Sequence, residues 1–196
     1  ETDYQHRVDA DATQYVPLVW ASAEATGGDR AGLAGTMPVP GWMGRLGAGR
    51  VVVWAGHEGA FAGESDGVAD NDAFRIRLLD WLRGDGQRVH FASGHGEWLR
   101  LADLSPAVRA SLEASGVRFA ELDGTLDAAA LATTDVLVLG NPWGEMSAAE
   151  LDAIATWVAG GGAALVLGVG WSWRGSHDDP RAERYPVQRL GQRLRY

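Results

Sequence analysis

Three runs of apolar residues constrain what this chain can fold into. They read RVVVWAG at 50–56, DVLVLGNP at 135–142 and AALVLGVGW at 163–171. Each run is apolar without alternation and reaches a glycine, a pattern typical of strands that are buried on both faces of a sheet. Two further strands are predicted at QRVHFASG (87–94) and VRFAEL (117–122). A sheet of at least five strands is therefore expected.

Segments with helical patterning separate these strands. Helices are predicted at 70–83, 105–116, 125–134 and 147–162. Ser105 and Pro106 fit the cap and first position of the second helix, and Ser147 and Glu150 stand in capping-box register. Strands that alternate with helices favour βαβ crossovers. The sequence thus predicts an α/β fold, with a doubly wound, mostly parallel sheet and helices on both faces.

The ends of the chain are less regular than this core. Residues 1–36 are predicted to be an N-terminal extension or an added strand, in which Pro17 favours an edge position. Residues 37–50 are rich in proline and glycine and predict turns around a short extended piece. The α/β domain is expected at 37–173. The polar, arginine-rich tail at 174–196 is expected to wrap the surface and to carry a short terminal helix.

Composition excludes several classes of function. The formal net charge of −9 and the pI of about 4.9 argue against a nucleic-acid partner, which needs a basic surface. The same acidity argues against docking on anionic lipid, and no apolar run is long enough for membrane insertion. The chain has no cysteine, so disulfides, thiolate metal sites and a cysteine nucleophile are excluded.

No cofactor is predicted, since neither G-x-G-x-x-G nor G-x-x-x-x-G-K-[ST] occurs in a suitable position. A serine nucleophile is disfavoured because there is no G-x-S-x-G elbow. The polar start without an initiator methionine indicates a processed form or a segment of a longer protein. Nothing in the sequence sets the oligomeric state.

Two pairs of polar residues follow predicted strands. His57 and Glu58 come after the first apolar run, and His95 and Glu97 come after the strand at 87–94. Ligands of such sheets bind beyond the carboxyl ends of the strands, so the four side chains predict a hydrolase site, with or without a divalent metal. A zinc-peptidase helix is excluded, because Phe61 stands where the second histidine would be. The competing interpretation is that each histidine caps a strand or bonds a loop.

Several tryptophans also lie at or beyond strand ends. They are Trp98, Trp143, Trp171 and Trp173. Aromatic rings at this edge predict stacking on sugar rings or anchoring of a protein partner, with Trp143, Trp171 and Trp173 as candidate ligand-binding residues. The alternative is that they pack the tail and loops against the sheet.

The order of the segments resembles a known domain. The segments GRLGAGRVVVWAGHEGAF, LLDWLRG and DVLVLGNPWGEMSAAELDAIATWVAGGGAALVLGVGWSW follow one another as in the amidotransferase-like domain of enhancin-like mucin metallopeptidases. A similar domain recurs in vertebrate channel-associated factors. The tail ERYPVQRLGQ is similar to the Tyr-Pro-x-x-Arg-Leu stretch that follows there. The resemblance covers residues 37–192.

The resemblance implies a flavodoxin-like sheet of the class I glutamine amidotransferase type. Active members of that class carry a cysteine at the turn that here reads Gly168-Val169-Gly170. The implied function is therefore a non-catalytic accessory domain that recognises a glycan or protein partner, in an extracellular or periplasmic setting. The peptidase half with its HExxH helix is missing from the sequence, so the chain is expected to come from a longer protein or to be a free-standing relative.

Overall fold

A computed structural model of the chain describes residues 15–19, 41–56, 58–68, 70–178 and 181–196. Its strands are β1 Tyr15–Val19, β2 Gly41–Leu46, β3 Gly49–Trp54, β4 Arg88–Ala92, β5 Arg118–Leu122, β6 Val136–Gly140 and β7 Ala163–Leu167. Its α-helices are α1 Asn71–Arg83, α2 Pro106–Ala114, α3 Ala128–Leu131, α4 Ala148–Ala159, α5 Gly170–Gly175 and α6 Pro186–Leu194. Short 3-10 helices occupy Glu58–Phe61, Gly63–Ser65, Leu101–Asp103 and Ala182–Arg184.

All the described strands form one sheet in the order β1-β2-β3-β7-β6-β4-β5. Five neighbouring strands, β3, β7, β6, β4 and β5, pair in parallel, whereas β1 and β2 are antiparallel additions. Counted from β4, the order β5-β4-β6-β7 is the 2-1-3-4 order of a flavodoxin-like sheet, and β3 adds in parallel beside β7. This arrangement confirms the predicted fold class. The direction of winding reverses between β4 and β6, so their carboxyl ends meet at the topological switch point.

The sheet is covered on both faces. Along β3 the side chains alternate, because Val51 and Val53 face the layer formed by α3, α4 and α6, whereas Val52 faces α1 and α2. The strands β6 and β7 alternate in the same way and are buried throughout. This two-sided burial is why their sequences are continuous apolar runs. None of the helices in the described part of the chain is long and apolar enough to cross a membrane.

The predicted helix caps are confirmed. The Ser105 hydroxyl accepts a hydrogen bond from the Val108 backbone N–H, and Pro106 occupies the first turn of α2. At α4, Ser147 and Glu150 form a reciprocal capping box. These local signals fix where each helix begins, because they satisfy backbone donors that have no partner within the helix.

Two segments differ from the sequence prediction. The strand predicted over 163–171 ends at Leu167, because the chain turns at Gly168 and enters α5. Residues 37–50, predicted as turns around a short extended piece, contain all of the six-residue strand β2 and the start of β3. Pairing with neighbouring strands overrides the low strand propensity of their glycines. β1 pairs only with β2 among the described strands, which agrees with the edge position expected from Pro17.

The C-terminal tail contributes to the core. The predicted terminal helix is α6, and its residues Val187, Leu190 and Leu194 are buried in the layer that also contains α4. Tyr185, immediately before α6, is buried as well. A Cβ atom on Gly168 would lie 2.8 Å from the Tyr185 hydroxyl oxygen and 2.9 Å from Val187 Cγ1. The tail therefore covers the turn that follows β7.

Candidate functional site

The loops after β4 and β6 close the switch point with their own backbones. The N–H groups of Trp143 and Gly144 donate to the His95 carbonyl oxygen at 3.0 and 2.6 Å. The Leu99 N–H donates to the Gly140 carbonyl oxygen at 2.9 Å, and a Cβ atom on Gly140 would overlap the Leu99 carbonyl. Protein backbone thus fills the crevice in which sheets of this topology usually bind ligands.

A buried polar group, the His95 cluster, lies beneath these loops and consists of His95, Glu97 and Glu150. The ring Nε2 of His95 lies 2.8 Å from Glu150 Oε1, and Nδ1 lies 3.5 Å from Glu97 Oε1. The other Glu97 oxygen accepts the His95 backbone N–H at 2.9 Å. Glu150 also accepts backbone N–H groups from Leu126 and from its capping partner Ser147. The cluster therefore joins the β4 loop, the β5–α3 connection and the first turn of α4.

The pKa values of the cluster shift in the directions expected for an ion pair. The Glu97 carboxylate, 3.5 Å from Nδ1, raises the pKa of His95 against the opposing effect of burial, and Glu150 adds to the rise. Burial alone would raise the pKa of Glu97, but the nearby His95 ring and the hydrogen bond from the His95 backbone N–H outweigh it and lower that pKa. Burial is likewise outweighed at Glu150, where bonds from Ser147, Leu126 and His95 lower the pKa to about 2. An imidazolium between two carboxylates is the favoured state.

A second polar group, the Asn141 cluster, consists of the buried Asn141 and Tyr185 and the half-buried Glu58. Asn141 follows β6 with a φ of 60°, in the left-handed region that asparagine tolerates better than most residues. Its side-chain oxygen accepts the Tyr185 hydroxyl at 2.7 Å and the Val169 N–H at 3.4 Å, and its amide nitrogen donates to Glu58 at 3.4 Å. Burial raises the pKa of Tyr185 well above its usual range. The tyrosine thus stays neutral and ties the tail to the ends of β6 and β7.

An open cleft of about 620 Å³ lies beside these two clusters. We refer to it as the aromatic cleft. It is lined by Trp143, Gly144, Glu145, Trp173, His177, Asp178, Glu183, Arg184, Pro186 and Arg189. Arg189 donates one bond to the Met146 carbonyl at 2.8 Å, which holds its guanidinium at the cleft wall. Carboxylates, guanidinium groups and aromatic rings are therefore presented together.

The rings at the cleft form a contiguous row. Trp98 and Trp143 have centroids 4.9 Å apart, Trp143 and His177 5.7 Å, and His177 stacks on Trp173 at 4.3 Å. Trp98 is 55% exposed, whereas Trp173 is 3% exposed and also contacts Tyr185. Trp98 and the partly exposed Trp143 therefore offer ring surface to a ligand, and Trp173 forms the rear wall.

The candidate catalytic residues from the sequence fall into different groups. Glu58 belongs to the Asn141 cluster, whereas His95 and Glu97 belong to the His95 cluster, and His57 lies outside the described residues. Among the residues that the structure describes, no hydrogen bond or ion pair joins Glu58 to His95 or Glu97. The described part of the chain also contains no group of three or more side chains placed to hold a metal ion.

The candidate aromatic residues are distributed along the same edge. Trp143 and Trp173 line the cleft, and Trp171 lies in α5 with a side chain outside the described part. Sequence reasoning did not identify Glu150, Asn141 or Tyr185 as members of polar clusters. For Glu150 the signal was present, because a capping-box glutamate follows the strand end at the switch point. Its pairing with His95, however, depends on strand order, which the sequence does not reveal.

Comparison with known proteins gives a fold relationship only. No protein-family model matches the chain, and no curated protein matches it in sequence. The structure of IMPa from Pseudomonas aeruginosa in complex with an O-glycopeptide is similar to it, with a TM-score of 0.54 and 15% identity. A second structure, of the IMPa metallopeptidase from the same organism, gives 0.51 and 16%. In both, the match covers 82% of this chain but only 16% of the IMPa chain.

Proposed function

We propose that this chain is a non-catalytic, amidotransferase-like accessory domain that binds a glycan-bearing polypeptide through the aromatic cleft. The observation that carries the proposal is a contact between two indoles that keep exposed ring surface. Trp143 lines a cleft of about 620 Å³ with charged walls, and the exposed Trp98 lies against Trp143 beside that cleft. Contiguous apolar surface that is rimmed by polar residues marks interaction sites, and tryptophan is enriched among the residues that contribute most to binding.

The chemistry of the cleft suits a ligand with apolar faces and many hydroxyl groups. Indole rings pack against the C–H faces of a sugar ring, to which they present a negatively polarised π surface. The carboxylates of Glu145, Asp178 and Glu183 can accept hydrogen bonds from hydroxyl groups, and Arg189 can donate them. Because the cleft is open to solvent, it can also admit the polypeptide that carries the sugar.

The fold relationship supports this choice of ligand class. IMPa, whose structure is similar over most of this chain, has been captured with an O-glycopeptide. The segment of IMPa that matches is about a sixth of that protein, and a binding role for this chain is our proposal. An extracellular or periplasmic setting would place the domain where glycosylated proteins occur.

A hydrolase built on His57, Glu58, His95 and Glu97 has less support. Both ring nitrogens of His95 face carboxylates, and the residue is buried. A general base must reach a proton on the substrate, which this arrangement does not permit without opening the loops. Glu58 is engaged by Asn141 at the other cluster.

The test is calorimetric binding of an O-glycopeptide, the same peptide without its sugar, and the free glycan. Trp98→Ala should weaken binding by about tenfold, the scale of an aromatic contact worth about 1–1.5 kcal/mol. Trp98→Tyr should retain most of the affinity. Val68→Ala is the control, since Val68 has the same 55% exposure but does not belong to the row of rings that reaches the cleft through Trp143. Absence of binding by the wild type, or equal affinity of Trp98→Ala, would remove the proposal.

A further inference from the structure

The His95 cluster and the aromatic cleft share one backbone segment. The His95 carbonyl oxygen accepts from the N–H groups of Trp143 and Gly144, and the Trp98 N–H donates to the Asn141 carbonyl at 3.4 Å. The loop that contains His95 therefore anchors Trp143 and also carries Trp98. Any change in the seating of His95 is transmitted to both indoles through these backbone bonds.

Each of the two ring nitrogens of His95 faces a carboxylate oxygen. Nε2 faces Glu150 at 2.8 Å and Nδ1 faces Glu97 at 3.5 Å, and each carboxylate oxygen is an acceptor. A neutral imidazole carries one N–H, so one nitrogen would then direct a lone pair at a buried carboxylate. An imidazolium presents an N–H to each carboxylate, with a hydrogen bond at Nε2 and a charge contact without hydrogen-bond geometry at Nδ1.

In the part of the chain that the structure describes, only two charged groups face the His95 ring, and both are carboxylates. Within the described residues, the charged groups that face the ring are Glu97 from its own loop and Glu150 from α4. The β5–α3 connection contributes the Leu126 N–H and the α4 cap contributes Ser147, and both are directed at Glu150. The β6–α4 connection contributes the N–H groups of Trp143 and Gly144, which bond the His95 carbonyl.

We propose that His95 is a positioning residue for the aromatic cleft, held as an imidazolium that fixes Trp98 and Trp143, and that loss of its proton loosens the cleft and weakens ligand binding. The regulatory part of this inference rests on the proposed function. The Glu97 carboxylate beside Nδ1 raises the pKa of His95 above the ordinary value of 6.5. Binding should therefore be strong in mildly acidic solution and should decline as the pH rises through the shifted pKa.

The first experiment needs no ligand. In the wild-type protein, the ring resonances of His95 and the indole N–H resonances of Trp98 and Trp143 are followed by NMR from about pH 5 to about pH 9, below the range in which tyrosines titrate. The expected result is a His95 transition above 6.5 that the two indole signals follow with the same midpoint. The inference would be overturned if the His95 ring is already neutral at pH about 6.5, or if the indole resonances do not shift with the His95 transition.

Variants then separate the positioning role of His95 from the proposed function. Glu97→Gln removes one carboxylate and should move the midpoint of the His95 titration to lower pH. This shift can be measured even if His95→Gln folds poorly. His95→Gln should bind the O-glycopeptide more weakly than the wild type, by about threefold to tenfold, with no pH dependence near the His95 midpoint. His90→Gln is the control, because His90 bonds Thr134 within the body of the sheet and should leave the pH profile unchanged.

The outcomes are distinguishable. Coupled His95 and indole transitions without glycopeptide binding at any pH would support the positioning role and refute the proposed function. Binding with a wild-type pH profile in His95→Gln would support the proposed function and refute the regulation.

Discussion

Two regions at the same edge of the sheet, the His95 cluster and the aromatic cleft, differ in how much side-chain surface they expose. His95, Glu97 and Glu150 are buried and bond one another or nearby backbone, although Nδ1 of His95 and Oε1 of Glu97 have no hydrogen-bond partner among the described residues. Beside the cleft, Trp98 is 55% exposed and its ring contacts Trp143, which lines the cleft. Both regions follow strand ends and contain residue types that bind ligands. Only the aromatic cleft exposes side-chain surface to a ligand. A position at a strand end therefore does not by itself indicate a binding site.

The largest effect on this comparison is expected from Glu150→Ala. The change removes the α4 capping box and leaves His95, Leu126 and Ser147 without their acceptor inside the protein. Loss of one partner from a buried charged pair costs about 3–5 kcal/mol, which we expect in the free energy of unfolding measured with urea. The control is Glu145→Ala at the exposed cleft wall, expected within about 0.5 kcal/mol. Equal effects of the two changes would contradict the distinction.

A smaller effect is expected from pH, best measured as the difference in unfolding free energy between the wild type and His95→Gln. The pKa of His95 is raised on folding, so its contribution is fully present below 6.5 and is lost as pH rises through the shifted value. The pKa values of Glu97 and Glu150 are lowered, so their contribution is present above 4.5 and is lost as pH falls, for Glu150 towards about 2. The difference should be greatest between 4.5 and 6.5. A difference that grows above neutral pH would contradict this assignment.

Tyr185→Phe should destabilise the fold by about 1 kcal/mol in thermal or urea unfolding, since it deletes one buried hydrogen bond and leaves Asn141 with a weaker donor. Tyr196→Phe provides the matched comparison, because its hydroxyl donates to the Val187 carbonyl at the long distance of 3.4 Å. We expect the second change to cost less. The reverse order would show that the Asn141 cluster is not what holds the tail.

The smallest effect on stability is expected from Trp98→Ala. The side chain is more than half exposed, and surface substitutions usually change the free energy of unfolding by less than about 0.5 kcal/mol. Circular-dichroism melting would measure it alongside the binding assay. A large loss of stability would mean that Trp98 serves the loop rather than a ligand.

Most of the strands and helices that were correctly predicted follow from local sequence patterns. The apolar runs of β3, β6 and β7 report burial on both faces, and the caps at Ser105 and Ser147 fix two helix starts. These features depend only on neighbours along the chain. For β2 the sequence indicated only a short extended piece among turns, because its strand character comes from pairing with β1 and β3.

The polar clusters required the strand order, which no local pattern contains. His95 and Glu150 are 55 residues apart, and Asn141 and Glu58 are 83 apart. The sequence placed His95 and Glu97 correctly after a strand of the sheet, yet it gave no indication that a glutamate in a helix cap would occupy the second ring nitrogen. The side chains that decide whether a histidine is free come from segments that meet only after the sheet has formed.

The packing of the tail on Gly168 has an evolutionary consequence. A side chain gained at position 168 would require Tyr185 or Val187 to move, and both are buried and support other parts of the core. A reactive group introduced at this position would therefore displace part of the C-terminal tail. Restoring the contact would need a second change in the last dozen residues of the chain, at positions that are separated from it in sequence and are constrained by their own packing.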